Sequence, residues 1–478
     1  MDHLWKKFNF LGDAFDIVQI FKDEPHLFFL DSHQYDSDRS RYSFIGFDPF
    51  TVVQHNGKNS LATLKKEFLH FSNSKNQGIV PFPSGIVGYL AYDYGLYQEN
   101  ISLLPKGRSG LPDCFFGFYD SVIVVDHYAQ QLYACSSGLP EKNFSLRHLR
   151  AQERLDAMIR KLDVGFQGYL NDQSLETPLA LPISAVNLKS NFSKADYLKA
   201  VAKAKDYIHR GDIYQVNLSQ RFESPLTDEV DSLKIYQTLR QLAPASFNAY
   251  FDAKDFKILS SSPERFLRLH NGIVQTRPMK GTRPRSLDPT QDRRLKEEII
   301  HSQKDKAELL MITDLERNDL GKVCDYGSII VDEMRAIEEY PYVFQATSNI
   351  RGNLRRDHDG FDVLKACFPG GSITGCPKIR AMEIIEELEP TRRGIYTGCL
   401  GYMSFSGQMD FNILIRTLIA SRDKISYQVG GGIVADSVPE NEYNETLVKA
   451  SAIERCLQQT FSRFKNDKNF SRSQADRC

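Results

Sequence analysis

A chain of 478 residues, 41% of them hydrophobic, is long enough to bury a large core. Its acids and bases cancel to a formal charge of −1, which excludes the basic footprint of a nucleic-acid binder and the polybasic patch of a membrane-surface protein. No run of about 18 apolar residues occurs, and the opening Met1-Asp2-His3-Leu4-Trp5-Lys6-Lys7 has no apolar segment behind its basic residues; the expectation is a cytoplasmic protein that acts on small molecules, without a membrane or nucleic-acid partner.

Residues 1–160 read as a β-rich region. Short runs such as Leu27-Phe28-Phe29-Leu30, Tyr42-Ser43-Phe44-Ile45-Gly46 and Val122-Ile123-Val124-Val125 alternate with polar turns, while Leu146 to Leu162 has helical spacing. Periodicity fades over 161–192, which predicts a connector. The eight cysteines are scattered without a C-x-x-C pair, which points to reduced thiols.

The region 193–460 carries the chemistry. Ser193 with Asp196 predicts a capped helix that stops at Arg210-Gly211, and Tyr214 to Phe222 alternates as a strand does. After an apolar run at Phe256 to Leu259, Ser262-Pro263-Glu264 places Glu264 just past a strand end, where acid/base groups are often presented. In Thr276-Arg277-Pro278-Met279-Lys280-Gly281-Thr282, proline and glycine predict a turn that holds Lys280 in one place. A solvated turn lysine and a positioned amine nucleophile are both compatible with this pattern.

From Glu297 the spacing turns helical, with Asp305 and Glu308 on one face. Pro439 opens another helix, where Glu442, Glu445 and Lys449 share a face. Four carboxylates from two helices could hold a hard cation such as Mg²⁺, although acidic first turns and i,i+4 ion pairs are also ordinary helix features. Between them, Gly370-Gly371-Ser372-Ile373-Thr374-Gly375-Cys376-Pro377 leads into a helix and could offer backbone N–H groups to an anion. Gly398 to Phe405 and Phe411 to Ala420 predict a hairpin with Tyr396 at one end and Arg416 inside the second strand, where a partly buried guanidinium calls for an anion. The strand that follows runs into Gly430-Gly431-Gly432, where something can approach the backbone closely. Residues 461–478 are charged and polar and predict a disordered tail.

Ser-Pro-Glu-Arg-Phe, Leu-Glu-Arg-Asn-Asp-Leu, Gly-Ser-Ile-Thr-Gly-Cys-Pro-Lys and Pro-Glu-Asn-Glu-Tyr-Asn-Glu-Thr occur in that order, and together they resemble the chorismate-utilising enzymes over essentially the whole chain. The resemblance implies an α/β (α+β) fold of the anthranilate synthase component I type, two packed and mainly antiparallel β-sheets flanked by helices, with the active site between them. It implies Glu308 and Glu445 as Mg²⁺ ligands, Asp305 and Glu442 reaching the metal through water, and Tyr396, Arg416, Gly432 and Lys449 as binders of the substrate's carboxylates, with Gln215, Gly281 and Thr282 lining the same site. Asp305 stands where anthranilate-forming members usually carry Glu. Gln215 stands where water-activating members carry Lys, which argues against water as the nucleophile. Asp362, or after a small gap His358, takes the place of a histidine of anthranilate-forming members. Ser32, Arg41, Ser246, Phe247 and Asn248 resemble a tryptophan pocket, although the usual Pro-Tyr of its third piece is missing.

Lys280 matches members that aminate chorismate at C4, where anthranilate-forming members usually have a small residue. The resemblance therefore implies Lys280 as covalent nucleophile, Glu264 as proton donor and 4-amino-4-deoxychorismate as product. No glutaminase-type Cys with downstream His and Glu occurs, so ammonia is expected from a separate glutamine amidotransferase subunit in a heterodimer. Anthranilate formation is the alternative, and a non-catalytic chorismate or tryptophan sensor a third reading.

Overall fold

The computed structural model describes residues 3–32, 40–72, 79–107, 110–171, 188–225, 231–340 and 343–475. Half of the expected connector, 172–187, and residues 476–478 of the expected tail lie outside them; the connector's first residues, 161–171, continue the Phe144–Asn171 helix, and the last helix is assigned over Pro439–Ala475, so most of that tail continues as helix. Among the described residues the strand-rich runs assemble into two antiparallel sheets, one of twelve strands and one of ten. Neither sheet belongs to one half of the sequence. Phe247–Asp252 pairs with Phe28–Asp31 in the first, and Cys399–Ser404 pairs with Gly85–Leu90 in the second.

The inner faces of the sheets meet through an apolar layer that includes Phe28, Phe44, Tyr89, Phe115, Phe251 and Tyr402, all buried. Edge-to-face pairs such as Phe115 with Phe251, 5.7 Å between ring centres, let large rings interdigitate and add about 0.5–1.5 kcal/mol each beyond their buried area. Helices cover the outer faces. The Ser232–Leu242 and Pro439–Ala475 helices contribute to the core behind the first sheet, and Gly360–Cys367 and Lys378–Leu388 to the core behind the second. No helix among the described residues is long and apolar enough to cross a membrane.

Two of the places where the chain passes from one sheet to the other lie side by side, and these seams position the site. Phe256–Ser262 belongs to the first sheet and Arg265–His270 to the second, leaving Pro263 and Glu264 between them. Met409–Ile413 belongs to the second sheet and Thr417–Ser421 to the first, leaving Leu414, Ile415 and Arg416 between them. The seams are laced together: the Ile413 N–H donates to the Glu264 carbonyl at 3.0 Å and the Ser261 N–H to the Arg416 carbonyl at 3.1 Å. The expected hairpin strand through Arg416 is therefore two strands, and Arg416 sits in the break with φ +50°, a left-handed conformation that few non-glycine residues adopt.

Two other expectations need correction. Lys280 lies in a strand, Met279–Pro284, rather than a turn; the register against Val343–Asn353 slips between Lys280 and Thr282, and Gly281 at φ +76° supplies the bulge. The helix expected from Glu297 is two helices, Pro289–His301 and Gln303–Gly321. Ser302 divides them by accepting from the Asp305 N–H as an N-cap, which restarts the helix so that Asp305 and Glu308 fall in its first turns. The helix expected after Ser193 forms as read, over Lys194–His209, with Ser193 capping and Gly211 in the left-handed region.

Candidate active site

The site is built where Gln215–Pro225 pairs with Lys424–Ile433, a register that sets Asn217 opposite Gly432 and Leu218 opposite Gly431. With glycine at 432 the Gln215 side chain lies against the backbone there; a Cβ would stand 2.2 Å from its Nε2 and displace the end of that glutamine. The Gly371–Ile373 turn closes over the strand. Its Ser372 carbonyl accepts from Asn217 Nδ2 at 2.8 Å and from Lys280 Nζ at 3.2 Å, which pins the lysine amine against the loop.

Near this contact four buried polar atoms have no hydrogen-bond partner among the described residues: Glu264 Oε1, Ser372 Oγ, Asn217 Oδ1 and Gln215 Oε1. Buried polar groups are nearly always paired, so these orphans mark a place for a polar ligand. Glu264 is 3% exposed, and burial pushes its pKa up to about 7, with Ser372, Lys280 and Arg416 nearby offsetting part of that rise. Burial lowers the Lys280 amine below its ordinary value; Lys449 pushes the same way, while Glu308, Glu264 and Glu445 oppose it. Burial likewise works against the charge of Arg416, and no carboxylate pairs with its guanidinium among the described residues. Glu264 and Tyr340 act on it through space, but among the described residues no carboxylate makes the ion pair that a buried guanidinium calls for.

The acidic face of the Pro439–Ala475 helix lies against Gly431. A Cβ there would lie 3.5 Å from Glu442 Oε2, 3.5 Å from Glu445 Oε1 and 3.8 Å from Lys449 Nζ, so the missing side chain keeps a space in front of these groups. Each carboxylate has a local partner. Asp305 accepts from Arg283 at 3.2 Å, Glu442 from Ser437 Oγ at 2.7 Å, Glu445 pairs with Lys449 at 2.7 Å, and Lys304 Nζ stands 3.9 Å from both Glu308 and Glu442. Burial raises the Glu308 pKa, whereas at Glu445 Lys449, Lys304 and Lys280 together outweigh burial and lower it. Among the described residues no three acidic, His or Cys side chains stand preassembled around one point. The donors are nevertheless all hard oxygens beside a glycine-lined space, which fits Mg²⁺ and would not suit a soft metal.

Tyr396 is 9% exposed and packs on the Arg393 guanidinium at 5.7 Å. Arg393 donates to the Ile373 carbonyl at 2.9 Å, to the Asn217 carbonyl at 2.9 Å and to Glu389 at 2.8 Å, so one side chain ties loop, strand and helix together. Nothing in the sequence pattern singled it out, nor did it mark Ser372, Asn217 or Gly431 individually, although all lie inside stretches read as functional. Glu316, also beneath the loop, is pushed up to about 8 by burial; it accepts from Thr276 at 2.7 Å.

Other expected residues stand apart. Thr282 is exposed and meets Gln345 at 3.5 Å. Asp362 caps the Gly360–Cys367 helix together with Asp359 and pairs with Lys65, and His358 pairs with Asp357. Ser32, Arg41, Ser246, Phe247 and Asn248 do come together, lining a cavity of about 760 Å³ between the sheets. There Asp31 is held by Arg240 at 2.7 Å and Tyr236 at 3.0 Å, Arg41 is paired with Asp126, and both amide atoms of Asn248 are buried without a hydrogen-bond partner among the described residues.

The sequence model of the family described as chorismate binding enzyme matches residues 27–455. The chain belongs to this family of chorismate-utilising enzymes. Its fold is that of anthranilate synthase component I: the Streptococcus pneumoniae TIGR4 structure superposes with a TM-score of 0.75 at 30% identity, covering 88% of this chain and 93% of that one. Relatives of two activities are about equally similar. Aminodeoxychorismate synthase component 1 of Bacillus subtilis is 37% identical over 475 residues, 95% of this chain and 96% of its own. Anthranilate synthase component 1 of Acetivibrio thermocellus is 36% identical over 460 residues, 92% of this chain and 91% of its own. Overall likeness therefore identifies a chorismate-utilising enzyme and leaves the choice of product to individual residues of the site.

Proposed function

We propose that this chorismate-utilising enzyme aminates chorismate at C4, giving 4-amino-4-deoxychorismate, with ammonia from a separate glutamine amidotransferase subunit. The observation that carries the reading is the Lys280 amine, held at 3.2 Å from the Ser372 carbonyl beside the buried acid Glu264. A lysine whose charge is disfavoured by burial can act as a neutral nucleophile. Its Nζ forms a bond to C2 of the ring while the C4 hydroxyl departs. Hydroxide leaves poorly, so Glu264 gives it a proton and it leaves as water. Ammonia then bonds to C4 and the C2–Nζ bond breaks, which returns the lysine; the ammonium formed at C4 gives up a proton, which restores Glu264.

Arg416, Lys449, Tyr396 and the open backbone at Gly432 would hold the substrate's two carboxylates, which provides the anion that Arg416 lacks. Glu308 and Glu445 would hold Mg²⁺, with Asp305 and Glu442 contributing through water, and the ion would neutralise the carboxylate on the ring when bound. The Arg283 contact and the shorter arm of Asp305 make it the most distant member of that set. Gln215 cannot activate water as a lysine would, which favours ammonia as the incoming group.

Anthranilate formation is the competing reading, in which ammonia bonds at C2 and no lysine intervenes. Product identification separates the two. With chorismate, Mg²⁺ and ammonium, the wild type is expected to give the 4-amino compound and Lys280→Ala to lose it, by about 10²-fold or more, with any residual product aminated at C2. Anthranilate from the wild type, or an unchanged 4-amino product from Lys280→Ala, would remove the proposal.

A further inference from the structure

Lys304 stands where helix electrostatics least favour a cation. It is the second residue of the Gln303–Gly321 helix, in a first turn where the macrodipole favours anions. Its i,i+4 pair with Glu308 runs from Lys to Glu, the weaker of the two orders. Even so, its ammonium lies 3.9 Å from Glu308 on its own helix and 3.9 Å from Glu442 on the Pro439–Ala475 helix. Among the described residues it is the side chain whose ion pairs join these two helices. Arg283 already pairs with Asp305, and Lys449 with Glu445; among the described residues Lys304 is the cation within ion-pair distance of both Glu308 and Glu442, while Lys280 also acts on Glu308 through space. Its side chain is 52% exposed; a long stem reaching into solvent can be withdrawn at little cost, because exposed pairs are weak.

We propose that Lys304 is an exchangeable counter-cation for Glu308 and Glu442, which it bridges and then yields to a divalent cation, so that its charge sets how tightly the site holds that cation. This rests on the reading of these carboxylates as a cation site. A single positive charge bridging two carboxylates stabilises their approach, and a divalent ion in the same place attracts both more strongly. The lysine must therefore leave as the ion arrives, and part of the binding free energy is spent on displacing it.

The test uses the full-length chain without substrate, with Mn²⁺ as the probe and its binding followed by calorimetry or by the electron paramagnetic resonance of free Mn²⁺. Lys304→Met keeps most of the stem and removes the charge; it is expected to bind Mn²⁺ about three- to tenfold more tightly than wild type. Lys304→Arg keeps the charge and is expected to stay within about twofold of wild type. Unchanged or weaker Mn²⁺ binding by Lys304→Met, with the wild type still binding, would overturn the role of Lys304 alone. Failure of the wild type to bind Mn²⁺ or Mg²⁺ would overturn the cation-site reading and this inference with it.

Discussion

Lys280 and Glu264 demand opposite conditions, and this sets the pH dependence. The amine must be free of its proton, a state that grows as pH rises through a pKa already lowered by burial. The carboxyl must keep its proton, a state that fades as pH rises through about 7. Turnover is therefore expected to fall on the acid side as Lys280 gains a proton and on the alkaline side above about 7 as Glu264 loses one. Glu264→Gln should lower kcat by about 10²–10⁴-fold and abolish the alkaline fall; an alkaline limb that survives in this variant would assign it to another group. At this scale the sequence was informative where composition was unusual, as with a lysine between Pro278 and Gly281 or an arginine at 416 among aliphatic residues. It could not reveal that Ser372 contributes its carbonyl to Lys280, since the direction of a backbone carbonyl is set by the loop and not by its side chain.

Elements rather than residues account for the stiffness behind the site. The Arg393–Glu389 pair is almost wholly buried, at 1% and 2% side-chain exposure, and Glu389 also accepts from Ser219 Oγ at 2.6 Å. Breaking a buried pair leaves an uncompensated charge, so Arg393→Met is expected to cost about 3–5 kcal/mol in denaturant unfolding. The double replacement with Glu389→Gln should recover part of that loss; additive costs would show that the two side chains are not coupled. Helices with a cap and a clear stop were readable, as Ser193 and Gly211 show for Lys194–His209. The break at Ser302 was not, because a serine inside a helical pattern reads as an ordinary surface residue until its hydroxyl is seen to accept from Asp305. The strand through Arg416 was overextended for a similar reason: an apolar run carries no mark of the point where the chain leaves one sheet for the other.

On the scale of the whole molecule, the groups of the candidate site come from distant parts of the sequence: Gln215 and Asn217 from one strand, Glu264 and Arg416 from the two seams, Lys280 from a bulged strand of the second sheet, and the carboxylates from two helices. Alternating patterns predicted that sheets form, but strand order depends on pairings across hundreds of residues, such as Asn248 with Asp31 and Gly401 with Gly88. What this assembly achieves is to bring an amine and a buried acid close to one another, and the central claim is that the amine becomes covalently bound during turnover. The direct measurement is the intact-protein mass after rapid quenching of the wild type with chorismate and Mg²⁺ in the absence of ammonia, followed by peptide mapping. The account predicts a mass increase equal to chorismate less one water, located on Lys280, absent from Lys280→Ala and discharged on adding ammonium. An unmodified chain that still forms the 4-amino product when ammonium is supplied would contradict it.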